Sequence, residues 1–162
     1  MNADISTFLA KQTCATICIT DETGSPYCFS CFYAFDTEEK VLYFKSSPNS
    51  YHVKLFEKCK IVAGTVLPDK LRTLLVQGIQ FTGIVLESTH PISEKASRKY
   101  HRRHPLALAR AGEIWAAQLN SIKMTDSKKG FGTKTHWKRE EAETSNDLSA
   151  DNLSYNTDFA KV

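Results

Sequence analysis

Tyr27-Cys28-Phe29-Ser30-Cys31-Phe32-Tyr33-Ala34-Phe35 is the stretch that decides the fold. Side chains of a strand alternate between two faces. Tyr27, Phe29, Cys31, Tyr33 and Phe35 therefore share one face, and Cys28, Ser30, Phe32 and Ala34 share the other; both are largely apolar. Such a strand needs a core on one side and a helix, a cofactor or a second subunit on the other. Upstream, the β-branched, sulfur-rich run Thr13 to Thr20 reads as a partner strand, joined through the turn Asp21-Glu22-Thr23-Gly24-Ser25-Pro26. Downstream, Asp36 to Lys40 is a hairpin loop into a third strand, Val41 to Ser46.

Further out, Ile5, Phe8 and Leu9 recur at helical spacing and predict a short helix ending before Thr13. Ser47-Pro48 reads as a helix start, with Ser at the N-cap and Pro in the first turn, and the helix is expected to run to about Lys58. Strands follow at Lys60 to Leu67 and Leu74 to Ser88, divided by Pro68-Asp69-Lys70. Ile92 to Arg110 is helical, broken at His104-Pro105; Glu113 to Asp126 is a long strand with Trp115, Ala117 and Leu119 on one side; Gly130 to Lys138 is a last short strand. Closely spaced strands with hairpin-length loops predict a mainly β fold, an antiparallel β-barrel of about six or seven strands decorated with helices.

The chain has 162 residues, 41% apolar and 24% charged, with 7 Gly and 5 Pro, which excludes collagen-like and wholly disordered readings. Nothing approaches the roughly 18 uncharged apolar residues that span a bilayer, and Asp4 stands where a secretory leader would carry a cation, so a cytoplasmic protein is expected. Five cysteines without an export signal point to reduced thiols. Cys28-x-x-Cys31 has a ligand-like spacing, but on a strand its members point to opposite faces, so no metal site is expected.

Charge is uneven. After Arg139, Glu140, Glu141, Glu143, Asp147, Asp151 and Asp158 face Lys161 alone, whereas the first 139 residues carry 20 Lys and Arg against 12 acids. Residues 1–139 are thus expected to form one domain and 140–162 an acidic, flexible tail, and the basic balance of the domain favours an anionic ligand or partner.

Chemistry concentrates in Lys45-Ser46-Ser47-Pro48-Asn49-Ser50-Tyr51-His52-Val53-Lys54, where a strand end, hydroxyls, a helix start and cations meet as they do around phosphates. The alternative is a capped helix with solvated lysines. Cys59, His90, His101, His104 and His136 show no spacing for a triad or a metal. Lys95, Arg98, Lys99, Arg102, Arg103 and Arg110, with Tyr100 and His101 interleaved, invite a nucleic-acid reading; the cations wrap round the helix instead of forming a stripe, which favours a role beside a cleft.

The order of elements resembles the flavin-binding split barrels related to pyridoxamine 5′-phosphate oxidase, in detail their YhbP-like branch. The matching stretches are Leu42-Tyr43-Phe44, Ser46 with Ser50 and His52, Ala63-Gly64-Thr65-Val66, Gly78-Ile79-Gln80-Phe81-Thr82-Gly83, Arg98 to Pro105, Glu113-Ile114-Trp115, Ile122 to Asp126 and Gly130 to Trp137, covering residues 1 to about 139. The resemblance implies a homodimeric split barrel with two FMN molecules in clefts at the subunit interface. Ser46, Ser50 and His52 match positions around the FMN phosphate, and helix geometry adds Ser47 and Lys54. The backbone of Phe29, Ser30 and Cys31 matches the strand edge facing the isoalloxazine ring. Trp137 either stacks at the flavin edge from the partner subunit or packs in the core, and Gln80 either touches the ring or is solvated. The oxidases' C-terminal arginine motif for substrate has no recognisable copy here. The function expected is an FMN-dependent oxidoreductase acting on a small substrate, with a non-catalytic flavin carrier or sensor as the alternative.

Overall fold

Antiparallel pairing organises the whole chain. The computed structural model describes residues 1–71, 75–87, 90–129 and 133–140; the expected strand ends Leu74, Ser88 and Gly130, and the tail beyond Glu140, lie outside the described residues. Helix α1 (Ala3–Lys11) is followed by strands β1 (Cys14–Thr20), β2 (Pro26–Asp36) and β3 (Val41–Ser46), helix α2 (Tyr51–Phe56), and strands β4 (Ile61–Val66) and β5 (Gln77–Leu86). Two short helices, α3 (Pro91–Glu94) and α4 (Ala96–Arg103), and a 3₁₀ turn (Pro105–Ala109) lead into β6 (Glu113–Asp126) and β7 (Lys134–Lys138). The strand order is β3-β2-β1-β4-β5-β6-β7, every pairing is antiparallel, and β3 also pairs with β6. Six strands thus close on themselves and β7 extends β6, which is the mainly β barrel expected from the strand spacing.

The barrel interior takes alternate residues of every strand: Ile17 and Ile19 of β1, Tyr33 of β2, Leu42 and Phe44 of β3, Phe81 of β5, and Ala117 and Leu119 of β6 are all buried in one cluster. Helix α1 adds Ile5, Phe8 and Leu9 to it, and the buried Tyr33 hydroxyl donates to the Leu9 carbonyl at 2.7 Å. Each such side chain contributes about 1.5–3 kcal/mol on burial. A second cluster lies outside the barrel, where Ala34, Val41, Tyr43 and Ala116 pack under Ala96 and Tyr100 of α4. This is why Val41, Leu42, Tyr43 and Phe44 are buried in succession: odd and even positions meet different cores.

The helix after β3 begins later than the sequence suggests. Ser50, not Ser47, is the N-cap, and the helix is six residues long, ending at Phe56. Ser47 spends its hydroxyl on the Asn49 N–H at 3.3 Å and its carbonyl on the Ser50 N–H at 3.0 Å. Pro48 therefore sits in a tight turn that precedes the helix. The last strand is described from Lys134 to Lys138.

One close backbone approach admits no side chain. At the β5–β6 register shift, between Thr82 and Gly83, a Cβ on Gly83 would lie 2.2 Å from the Gln118 carbonyl oxygen. We expect Gly83→Ala to destabilise the fold by about 1–3 kcal/mol through backbone crowding, read by urea denaturation. Unchanged stability would mean that the bulge shifts without cost.

Candidate functional site

Where β2 and β3 leave the barrel under α4 and the 3₁₀ turn, they border a cleft of about 730 Å³. Phe32, Tyr100, Leu106 and Ala107 make its apolar wall; Ser30, Ser46, Ser47, Arg103 and Arg110 make its polar rim. Lys45 braces the structure from below. Its ammonium donates to the carbonyls of Ala107 at 2.9 Å and Arg110 at 2.7 Å and faces His101 Nε2 at 3.4 Å. Its proton donors are thereby taken up by the chain itself, which leaves Arg103 and Arg110 as the cations on the rim.

Ser46 joins the cleft to a polar cluster behind it. Its hydroxyl donates to Ser50 Oγ at 3.3 Å and sits 2.6 Å from His52 Nε2; with its proton given to Ser50, its oxygen accepts from the imidazole N–H. The His52 ring stacks on Phe29, centroids 3.7 Å apart and 8° from parallel, within an aromatic group completed by Phe44 and Phe56. Burial pushes the His52 pKa down, so this imidazole is neutral near pH 7 and acts there as a hydrogen-bonding group, not a cation.

Of the residues singled out from the sequence, Ser30, Cys31, Ser46 and Ser47 line the cleft, and Ser50, His52 and Phe29 stand directly behind Ser46 and one another. Burial, followed by the charge of Cys14, pushes the Cys31 thiol up to about 12, so it stays protonated. The remaining three lie elsewhere. Lys54 borders a different cavity with Asp21, Glu22 and Lys58. Gln80 is exposed on β5 between Thr65 and Lys123, and Trp137 pairs with Ile122 on β7, packs on the core and carries the Arg139 guanidinium 5.7 Å from its ring. Tyr100, Arg103, His104 and Arg110 make the facing wall, so the basic segment broken at His104-Pro105 borders the cleft; its sequence does not show which of its members reach the lining, and Lys95, Arg98, Lys99, His101 and Arg102 do not.

An ion pair between the half-buried Lys99 and the buried Asp36 fixes that wall. Lys99 of α4 bonds Asp36 Oδ2, which also accepts from Tyr43 Oη at 3.1 Å, and Asp36 Oδ1 accepts from the Glu38 and Glu39 N–H groups at 3.1 and 3.3 Å. Burial opposes ionisation of Asp36, but the Lys99 bond and the two backbone amides outweigh it and hold the carboxyl below its ordinary value. A carboxylate with a depressed pKa adds stability that is complete above its unfolded value, near 3.9, and is lost as pH falls through the lower folded value. We expect an acid-induced loosening of α4 that is absent in Asp36→Asn, followed by Tyr fluorescence and thermal melts below pH 4. Removing the partner of the buried Asp36 by Lys99→Met should cost about 3–5 kcal/mol at neutral pH, and a cost near zero would mean that the pair does not anchor the helix.

No protein-family model matches the chain. Over 136 residues it is 35% identical to the UPF0306 protein YhbP of Salmonella schwarzengrund, covering 84% of this chain and 92% of that one. Among solved structures, a heme-binding protein from Mycobacterium smegmatis superposes with TM-score 0.69 at 11% identity over 82% of this chain, which spans 55% of the longer neighbour. A FAD-binding protein from Mesorhizobium loti superposes with TM-score 0.58 at 15% identity, covering 75% and 92% of the two chains. These two share the split-barrel fold, and the extent of sequence identity to the Salmonella protein settles the lineage: the chain belongs to the UPF0306 family of YhbP-like proteins.

Proposed function

We propose that the chain binds FMN in the cleft beside Ser46 and acts as a flavin-dependent oxidoreductase on a small substrate. The observation that carries this reading is the position of Ser46, whose hydroxyl belongs both to the cleft lining and to the Ser50–His52 cluster. The residues present fit a flavin mononucleotide. The cleft of about 730 Å³ falls within the roughly 300–1,000 Å³ of small-molecule sites; Phe32, Tyr100 and Leu106 offer an apolar wall to a flat ring, and Ser47 and Arg110 offer donors to a phosphate beside Ser46. Bound there, the flavin would supply hydride or electron transfer. The chain's part is to hold the ring against the outward edge of β2 at Ser30, to bind the phosphate through neutral donors and an arginine, and to exclude water with the 3₁₀ turn.

The fold neighbours support a cofactor-binding barrel, one as a FAD-binding and one as a heme-binding protein. The chemistry of this cleft favours the flavin: His104, the imidazole on its wall, spends its Nε2–H on the Tyr33 carbonyl at 2.7 Å. A nucleic-acid reading of α4 is disfavoured, since Lys99 is paired with Asp36, Arg103 donates to the Lys11 carbonyl, and Tyr100 is buried.

A homodimer belongs to the same proposal. Phe32 is 61% and Leu106 90% exposed on the cleft wall, and large apolar side chains gathered in one place mark interfaces. We expect sedimentation to show a dimer at micromolar concentration and Phe32→Glu to shift it to monomer. A wild-type monomer would contradict the interfacial flavin.

Ligand titration tests the site. FMN and riboflavin differ by the phosphate, so followed by flavin fluorescence, Arg110→Glu should weaken FMN about tenfold or more, the worth of a hydrogen bond to a charged group, and His52→Ala, which releases Ser46, should weaken it less, both with little effect on riboflavin. Lys54→Glu tests whether that residue reaches the phosphate, as helix spacing suggested. Equal losses for both ligands would indicate ring contacts or misfolding, and no loss in any variant would remove this segment from the site. Anaerobic bleaching of the bound flavin by NADH or NADPH would mark an oxidoreductase, and resistance to bleaching a carrier.

A further inference from the structure

Cys18 of β1 and Cys28 of β2 are directly opposed. Two bonds at either end of this hairpin fix the kind of position they occupy: the Tyr33 N–H donates to the Thr13 carbonyl at 3.0 Å, and the Asp21 N–H to the Ser25 carbonyl at 2.9 Å. The register between them is unbroken. Counting inward by the two-residue alternation of an antiparallel ladder, Ile19 and Tyr27 form a hydrogen-bonded pair, and Cys18 and Cys28 a non-hydrogen-bonded one. Pro26, opposite Thr20 at the same kind of position, agrees, because it has no N–H to give. Cα atoms at non-hydrogen-bonded positions are about 4.5 Å apart, within the roughly 4.4–6.8 Å that a disulfide spans.

Both side chains point to the outside of the barrel, Cys28 exposed and Cys18 half-buried. The facing Cys28 thiol, followed by burial, pushes the Cys18 thiol up. The other three thiols are placed differently. Cys31 faces the core, Cys14 lies opposite Phe32, and Cys59 contacts Thr20 Oγ1 at 4.0 Å.

We propose that Cys18 and Cys28 form a redox-active pair that closes to a cross-strand disulfide by exchange with a low-molecular-weight disulfide. The exposed Cys28, as thiolate, attacks one sulfur of that disulfide; its S–S bond breaks, one thiolate leaves, and a mixed disulfide forms on Cys28. Cys18, deprotonated in turn, attacks the Cys28 sulfur and expels the second thiolate. Two electrons pass from the protein pair to the small disulfide, and the two protons lost from Cys18 and Cys28 end on the two released thiols. The proposal does not depend on the flavin reading, since the pair lies towards the hairpin tip, outside the cleft lining.

The full chain, equilibrated with glutathione disulfide at pH 8 and then denatured, should titrate three thiols instead of five and lose the mass of two hydrogens. Because no Lys or Arg lies between Lys11 and Lys40, the link is mapped by cleavage after Glu22, which separates Cys18 from Cys28. Cys18→Ser should stop at one glutathione on Cys28, while Cys14→Ser and Cys31→Ser should still lose two thiols. Five free thiols after treatment, a link that survives in Cys28→Ser, or a covalent dimer on a non-reducing gel would each overturn the proposal.

Discussion

The pairing of β3 with β6 is the constraint from which the rest of the structure follows. Val41 to Ser46 run against Gln118 to Glu113, and this ladder turns an open sheet into a closed barrel. Without it β3 would be an edge, with unpaired N–H and C=O groups and a row of buried aromatics open to water. With it, Leu42 and Phe44 fill the barrel and Val41 and Tyr43 are left facing outward. A helix must then cover them, and α4 does so. The cleft exists because α4 and the turn that follows cover β3 only as far as Lys45; beyond that point Ser46 emerges at the rim.

The covering helix is held by polar contacts as much as by apolar ones. Asp36 ends β2 and is buried, and its oxygens are matched by Lys99, the Tyr43 hydroxyl and two hairpin amides. Lys45 does the corresponding work at the other end of the segment, where its ammonium ties Ala107 and Arg110 back to β3. Lysines at two points, one donated by the helix and one by the barrel, therefore determine the width of the cleft. Both would read in the sequence as candidate ligand-binding cations, and both are spent on architecture.

That distinction marks how far the sequence could be read. Strands announced themselves by period and turn chemistry: β6 runs from Glu113 to Asp126 as expected, and the doubly apolar β2 is a strand whose outward face is covered only towards its C-terminal end, with Cys28, Ser30 and Phe32 exposed. Side-chain function was less legible because it depends on which hydrogen bond a group has already made. Ser47 had the sequence signature of a helix cap, yet its hydroxyl is used two residues on, in the turn that contains Pro48. Lys54 shares a helix with His52 but faces Asp21 and Glu22, since β1 and β2 end in a hairpin that lies on that side of α2. Tyr100, Arg103 and Arg110 reach the cleft around a break at His104-Pro105 that the sequence shows but whose direction it does not, because the His104 partner, the Tyr33 carbonyl, is 71 positions away.

The outward face of β2 follows from the same geometry. Ala34 lies under α4, whereas Cys28, Ser30 and Phe32 do not, and Phe32 meets only the edge of the covering segment, its ring 5.8 Å from that of His104. The inward residues that alternate with them, Phe29, Cys31 and Tyr33, all pack on the core. A ligand or a second subunit seated on the bare half therefore meets a surface whose backbone is fixed from behind by Phe29 on His52 and by Tyr33 on Leu9. Pre-ordering of this kind lowers the entropy lost on binding. It also couples the strand to the hydroxyl cluster, since the imidazole that stacks on Phe29 is the one that bonds Ser46: displacing β2 at Ser30 must move His52, and with it the donor set at the cleft rim.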